Sequence, residues 1–138
     1  MFRGATVQPL AVAPRVMPSG TLPVRGGEPP MTREDAEQIR FSPLTPTAAH
    51  LVHGEQLFAT NCAPCHGANA KGNGPVAYQM IVAPPDLTRA QPAERSDGYL
   101  YATIRNGGLV MPAYGDAMSV EERWEVVLYL RALQSKGE

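Results

Sequence analysis

The stretch Cys62-Ala63-Pro64-Cys65-His66 contains both cysteines of the chain and places a histidine directly after the second one. A C-x-x-C-H motif is a signature of covalent haem attachment. Two thiols at this spacing can each add to one vinyl group of a porphyrin, and the following imidazole can then reach the iron. The motif predicts one haem c, with thioether bonds at Cys62 and Cys65 and with His66 as the proximal iron ligand.

Two other chemistries use a cysteine pair at this spacing. A C-x-x-C redox pair normally lies at a helix start in a βαβ context, and no strand pattern precedes Cys62. A structural zinc site needs four ligands, which His50 and His53 would complete, but histidines ahead of the cysteine pair are an unusual order. The haem is therefore favoured, and both upstream histidines are expected to be exposed helix residues.

A six-coordinate haem needs a second axial ligand, and methionine opposite histidine raises the potential in electron carriers. Met111 lies between Gly107-Gly108 and Pro112 in a stretch without helical periodicity, so its loop can be held rigidly against the iron. We predict Met111 as the distal ligand. Met80 and Met118 are expected to fill the core.

The proximal His66 is expected to donate a hydrogen bond from its other ring nitrogen. A backbone carbonyl of the Gly74-Pro75 turn is the expected acceptor. Polar partners for the haem propionates are expected among residues that could equally be ordinary surface or helix-end residues: Arg105, Asn106, Tyr78 and Tyr114.

The composition of the 138-residue chain narrows the class of protein. With 43% hydrophobic and 18% charged residues, the chain can build a packed core and is too apolar for wholesale disorder. A formal net charge of -1 gives no basic excess for binding nucleic acid. No apolar run approaches the roughly 18 residues that a membrane-spanning helix needs.

The N-terminal sequence carries no clear secretory signal, although covalent haem attachment generally happens outside the cytoplasm. The apolar stretch 5–16 is interrupted by Pro9 and Pro14, whereas a secretory apolar region is normally unbroken. We expect the exported chain to carry a leader that this sequence lacks. A third cysteine that could carry an N-terminal lipid is missing as well.

Proline divides the chain into two regions, because eight of the 14 prolines fall within the first 46 residues. We predict an extended proline-rich arm over residues 1–45 and a haem domain over residues 46–138. One short helix is expected from Thr32 to about Arg40. The arm is interpreted either as a floppy tail or as a segment that orders on a partner.

The haem domain is predicted to be all-α. Leu51, Gly54 and Phe58 share one face of a helix from Thr47 to about Asn61. A second helix is expected from Ser96 to about Asn106, where glycines end it. The S-x-x-E capping box at Ser119 starts the last helix.

Residues 47–135 resemble the class I c-type cytochromes. The matching features are Gly54 and Phe58, the Cys62–Gly67 segment, Gly72-Asn73-Gly74-Pro75, Met111-Pro112 and the closing Trp124 to Leu133. The resemblance implies three to five helices around one covalent haem, and a first helix that crosses the last at its glycine, with Phe58 packing on Tyr129. It also implies His66 and Met111 as iron ligands and Pro75 as the partner of the histidine.

A narrower resemblance covers more of the chain. The stretch Ser19-Gly20-Thr21-Leu22-Pro23-Val24-Arg25-Gly26 and the segment 106–114 are similar to the mono-haem cytochrome c subunit of bacterial alternative complex III. The first stretch departs from that pattern by one additional residue before Arg25.

The resemblance implies an electron-transfer protein rather than an enzyme, fixed in a membrane-bound quinol-oxidising complex of a respiratory chain. The expected partners are other subunits, through the arm, and a downstream redox carrier or oxidase. The expected location is the periplasmic side of the bacterial cytoplasmic membrane, peripherally. A diffusible periplasmic carrier is the first alternative. A haem enzyme, which needs an open iron position, is the second.

Overall fold

The computed structural model describes residues 28–136, and the compact unit considered below begins at Met31. Within these residues the secondary structure is helical and no strand is found, which confirms the all-α prediction. The elements are α1 (Arg33–Ala36), α2 (Ala48–Asn61), α3 (Ala63–His66), a 3₁₀ helix (Ala77–Gln79), α4 (Ala90–Glu94), α5 (Asp97–Asn106) and α6 (Val120–Lys136). The stretch 19–26 and the apolar stretch 5–16 lie outside the described residues.

Hydroxyl side chains determine where the three long helices begin. Thr47 Oγ1 and Ser96 Oγ each accept a hydrogen bond from the backbone amide three residues on, at 3.2 and 3.1 Å. At α6 the Ser119 hydroxyl accepts from the Glu122 amide at 3.2 Å, and the Glu122 carboxylate accepts from the Ser119 amide at 2.7 Å. These caps satisfy amides that have no partner inside the helix. The predicted helix starts and the capping box are confirmed.

Helices α2 and α6 cross at Gly54, where the backbones approach so closely that only glycine fits. A Cβ at Gly54 would lie 2.3 Å from the Glu125 carbonyl oxygen. One turn further along α2, the ring of Phe58 packs on the ring of Tyr129 at 5.5 Å between centroids. The predicted crossing and its aromatic pair are therefore confirmed, and they fix the direction in which α2 delivers the C-x-x-C-H motif.

The α5–α6 interface forms the other part of the core. Tyr101 stacks on Trp124 at 4.3 Å between ring centroids. Arg123 is buried and donates to the Tyr101 hydroxyl and to the carbonyls of Gly115 and Met118. Met118 is only 5% exposed, so its predicted core role is confirmed.

Residues 31–45, here called the strap, lie against α5. Ala36 is fully buried, and a Cβ at Gly98 would lie 2.1 Å from its carbonyl oxygen. The Asp97 carboxylate accepts from the Ser42 amide at 2.7 Å and from Arg131 Nε at 2.6 Å. This end of the predicted arm thus belongs to the compact unit, and residues 1–27 of the arm lie outside the described residues.

Candidate functional site

A mostly apolar cavity of about 300 Å³ is lined by the side chains of Cys62, Cys65 and His66 and by the loop that follows α5, which includes Met111. Cofactor cavities in proteins span roughly 300–1,000 Å³ and are mostly apolar, with a few polar groups that fix orientation. The thiols and imidazole of the motif are among those polar groups here.

One short turn of chain brings the three motif side chains to the cavity. Cys62 ends α2 and directly precedes α3, whose first turn contains Pro64. The His66 amide donates to the Cys62 carbonyl at 2.8 Å, which closes a single helical turn. Gly67 then leaves the helix with φ of +77°, where a Cβ would lie 2.1 Å from Asn73 Oδ1. The turn therefore presents both sulfurs and the imidazole together.

The electrostatics of Cys62 differ from those of a redox-active cysteine. Burial, together with the neighbouring Cys65, raises the pKa of the Cys62 thiol to about 12. A C-x-x-C redox pair instead depends on a lowered thiol pKa. The interpretation of this pair as a disulfide-exchange site is disfavoured on that ground and because no βαβ unit occurs among residues 28–136.

The ring of His66 is partly buried and lies beside the Pro85 backbone. Burial lowers the pKa of His66, and the Pro85 carbonyl beside the ring partly opposes this effect. Nδ1 of His66 is buried without a standard hydrogen bond, so the carbonyl lies near the ring without completing one. Pro75, the predicted acceptor, is exposed and does not line the cavity.

Pro85, and not the predicted Pro75, lies next to His66, because the loop that contains Pro84 and Pro85 folds back over the motif. The Leu87 amide donates to the Ala70 carbonyl at 2.8 Å. A Cβ at Gly72 would lie 2.2 Å from the Pro84 carbonyl oxygen. Pro84-Pro85 is the feature of the sequence that could have indicated a rigid carbonyl here, but the prediction rested on the Gly74-Pro75 turn.

Two methionines line the cavity, Met111 as predicted and Met80 against prediction. Met80 follows the 3₁₀ helix and is only half-buried, so it is a cavity residue rather than core filler. The backbone of Met111 is fixed, because its carbonyl accepts from the Gly108 amide at 2.8 Å. Gly107 has φ of +68°, and a Cβ there would lie 2.6 Å from the same carbonyl. The axial role of Met111 stays a prediction.

Of the four expected propionate partners, one lines the cavity and three do not. Tyr114 lines the cavity and donates from its hydroxyl to the Asn61 carbonyl at 2.9 Å. Arg105, Asn106 and Tyr78 are not among the lining residues, and the Arg105 carbonyl accepts from the Gly115 amide. The lining instead includes Arg33 from the strap, which sequence reasoning took only as part of a helix start. No local pattern reveals this placement, because it depends on how the strap packs on α5.

The upstream histidines lie beside α6 and outside the cavity lining. His53 Nδ1 is 2.7 Å from Glu125 Oε2, and His50 Nδ1 is 2.8 Å from the Thr45 carbonyl. His53 is half-exposed, whereas His50 is largely covered. Neither is placed to act as a second axial ligand.

The residues present fit a haem c. Two thiols and an imidazole arrive on one turn, the cavity wall is apolar, and Met80 and Met111 bring soft sulfur donors to the same space. Cys62 and Cys65 would hold the porphyrin edge, and His66 would hold the iron.

Over residues 28–136, no helix is both long enough and apolar enough to cross a bilayer.

The family model described as "Cytochrome C oxidase, cbb3-type, subunit III" matches residues 49–130. Cytochrome c6 of Pyropia yezoensis is 31% identical over 90 residues, which are 65% of this chain and 77% of that protein. The cbb3-type cytochrome c oxidase subunit FixP of Sinorhizobium medicae is 46% identical over 46 residues, 33% of this chain.

Among solved structures, the reducing HAO-like protein complex Kustc0457/Kustc0458 of Kuenenia stuttgartiensis matches with a TM-score of 0.58 and 26% identity. That match covers 66% of this chain and 46% of the other. The match to FixP covers only 16% of that subunit. The likeness to these two proteins is thus confined to a part of each.

Proposed function

Since the chain belongs to the class I c-type cytochromes, we propose that it passes single electrons as a fixed subunit of a membrane-bound quinol-oxidising complex of the alternative complex III type. Its cofactor is one covalent haem c, and its activity is electron transfer. The assignment to a complex is the proposal. Its location would be the periplasmic side of the bacterial cytoplasmic membrane.

The strap is the observation that carries this proposal. Residues 31–45 precede the family-matched segment and are folded onto α5 through Ala36 and Ser42. The proline-rich sequence continues toward the N-terminus from a point that is anchored on the haem domain. A segment that precedes this anchored point could supply contacts to a neighbouring subunit. The names of two relatives support the class of assembly, an oxidase subunit and a protein complex.

The bound haem supplies a ferric–ferrous couple that accepts and releases one electron at a time. A quinol loses two electrons and two protons, so the protons leave at the quinol-oxidising subunit and the electrons pass through this chain singly to a carrier or oxidase. The residues of this chain hold the cofactor, exclude water from it and set its potential. No side chain is required to exchange a proton.

Three apolar side chains support one side of the cavity as the place where a redox partner would approach. Val82, Leu109 and Val110 all line the cavity and are nevertheless 49%, 97% and 44% exposed. They therefore form its open side. An electron would pass there, between the bound cofactor and a partner docked on these residues.

The test uses the chain in its native cells. Membranes containing the full-length tagged chain are solubilised in mild detergent and separated by size. We expect haem staining of the chain in a large complex that oxidises quinol. A variant lacking residues 1–27 should be released into the soluble fraction with its haem intact. Recovery of the full-length chain as a soluble monomer, with quinol oxidation elsewhere, contradicts the proposal.

A diffusible periplasmic carrier is the second candidate, and the likeness to cytochrome c6 over 77% of that protein favours it. A carrier steers to its partners through charge, so its reaction rate falls steeply as ionic strength rises. A strong salt dependence of electron transfer from the soluble chain to an oxidase supports this candidate. Rates that are insensitive to salt, with the chain retained in a complex, exclude it.

A further inference from the structure

The strap places a cation in the haem cavity. Arg33 lies in α1, outside the family-matched segment 49–130, and it lines the cavity together with Met111. Its Nε donates to Thr103 Oγ1 at 3.0 Å, and its Nη2 donates to the Gly107 carbonyl. One side chain of the strap therefore bridges α5 and the loop that follows it.

The loop held by Arg33 is the one that carries Met111. Gly107 caps α5, and the next residue, Gly108, donates its amide to the Met111 carbonyl at 2.8 Å. The strap is fastened to the same place a second time, where Asn106 Nδ2 donates to the Met31 carbonyl at 2.7 Å. A movement of the strap would thus displace the backbone of Met111.

The two hydrogen bonds of Arg33 bring no negative charge to its guanidinium. The Thr103 hydroxyl donates to the Tyr99 carbonyl at 2.8 Å, so it meets Arg33 as an acceptor. Both acceptors of Arg33 are neutral oxygens. A guanidinium carries five N–H donors, and its planar fork matches a carboxylate. A haem brings two carboxylates to this cavity as its propionates.

We propose that Arg33 is a positioning residue that clamps the Met111 loop from the strap and pairs with a haem propionate. It would thereby take the propionate role for which Arg105 was one of four candidates in the sequence. The segment ahead of the family-matched domain would then control both the stability of the iron–methionine bond and the reduction potential. This inference concerns the isolated holoprotein and does not depend on membership of a complex.

The competing interpretation is that Arg33 only attaches the strap to α5. In that case its loss would lower the stability of the fold and leave the iron unaffected. The two interpretations differ in spectroscopic and electrochemical behaviour, so these properties and not activity are the readouts.

The experiment compares haem-loaded Arg33→Gln, Arg33→Lys and Arg40→Gln with the unaltered chain. Arg40→Gln is the matched control, because it removes the same charge from an exposed position of the same strap. Three properties are measured for each: the charge-transfer absorbance of ferric iron bound to methionine sulfur, the rate of CO binding to the ferrous protein, and the midpoint potential across pH.

For Arg33→Gln we expect weaker charge-transfer absorbance and CO binding that is about tenfold faster, the size expected for losing a charged hydrogen bond. The potential should fall, because a positive charge near the iron favours the ferrous state, and its dependence on pH should change with the propionate partner removed. Arg33→Lys keeps the charge but not the fork, so its potential should stay near that of the unaltered chain while CO binding accelerates. Arg40→Gln should change none of these.

Behaviour of Arg33→Gln that equals that of Arg40→Gln overturns the proposal. If Arg33→Gln does not accumulate with haem, Arg33→Lys decides: unchanged CO binding in that variant overturns the clamp. An unaltered chain without the charge-transfer absorbance would remove Met111 as the ligand and the clamp with it. Failure of the quinol-oxidising proposal would instead appear in membrane fractionation and leave these readouts unaffected.

Discussion

The two parts of the haem cavity are built in different ways. The motif turn is held by hydrogen bonds between near neighbours, such as that from the His66 amide to the Cys62 carbonyl. The Met111 loop has a local Gly108–Met111 bond, but it also depends on partners far away in sequence, because Arg33 and Gly107 are 74 residues apart and Tyr114 and Asn61 are 53 apart. The proximal side is thus specified locally and the distal side by the tertiary fold.

This difference explains how well each side can be predicted from sequence. A local turn leaves its signature in consecutive residues, so the roles of Cys62, Cys65 and His66 follow from the motif itself. A long-range contact leaves no local pattern. For this reason Arg33 was missed, Met80 was taken for a core residue, and the carbonyl beside His66 was placed at Pro75 instead of Pro85.

The largest effect is expected from removing the two cysteines of the locally specified proximal side. The double variant Cys62→Ala, Cys65→Ala has no sulfur to form a thioether, so covalent haem should be lost completely. Haem staining after denaturing electrophoresis measures this loss. Met111→Ala is the comparison, since it should retain full staining. Staining that persists in the double variant would refute the proximal assignment.

The next largest effect is expected on the distal side. Met111→Ala should keep its covalent haem and lose the charge-transfer absorbance, and ferrous iron should then bind CO readily at neutral pH, because the sixth position opens. Met80→Ala is the matched control, because Met80 lines the same cavity. If Met80→Ala shows these changes and Met111→Ala does not, the axial ligand is Met80.

The crossing of α2 and α6 is a long-range contact that sequence did reveal, through the resemblance to a family in which a glycine lies at this point. Gly54→Ala would place a Cβ 2.3 Å from the Glu125 carbonyl oxygen, so the helices must separate. We expect the free energy of unfolding to fall by about 1–3 kcal/mol, as for other overpacked sites.

Chemical denaturation of the holoprotein measures this change. Ala59→Gly, at an exposed position of the same helix, is the control for helix propensity and should cost about 1 kcal/mol. By helix propensity alone, Gly54→Ala would stabilise the helix. A variant more stable than the unaltered chain would therefore show that the helices do not meet at Gly54 as described.

The smallest effect is expected at the one proximal contact that depends on long-range folding. Pro84-Pro85 holds a backbone carbonyl beside the His66 ring, and a hydrogen bond to this carbonyl would make the imidazole a stronger donor to iron. Pro85→Ala relaxes the backbone at that carbonyl, so the midpoint potential should rise slightly. Pro75→Ala, at an exposed position away from the cavity, should leave the potential unchanged. A shift in Pro75→Ala with none in Pro85→Ala would show that His66 contacts the Gly74-Pro75 turn, as the sequence first indicated. All contacts of the proximal side would then be local in sequence.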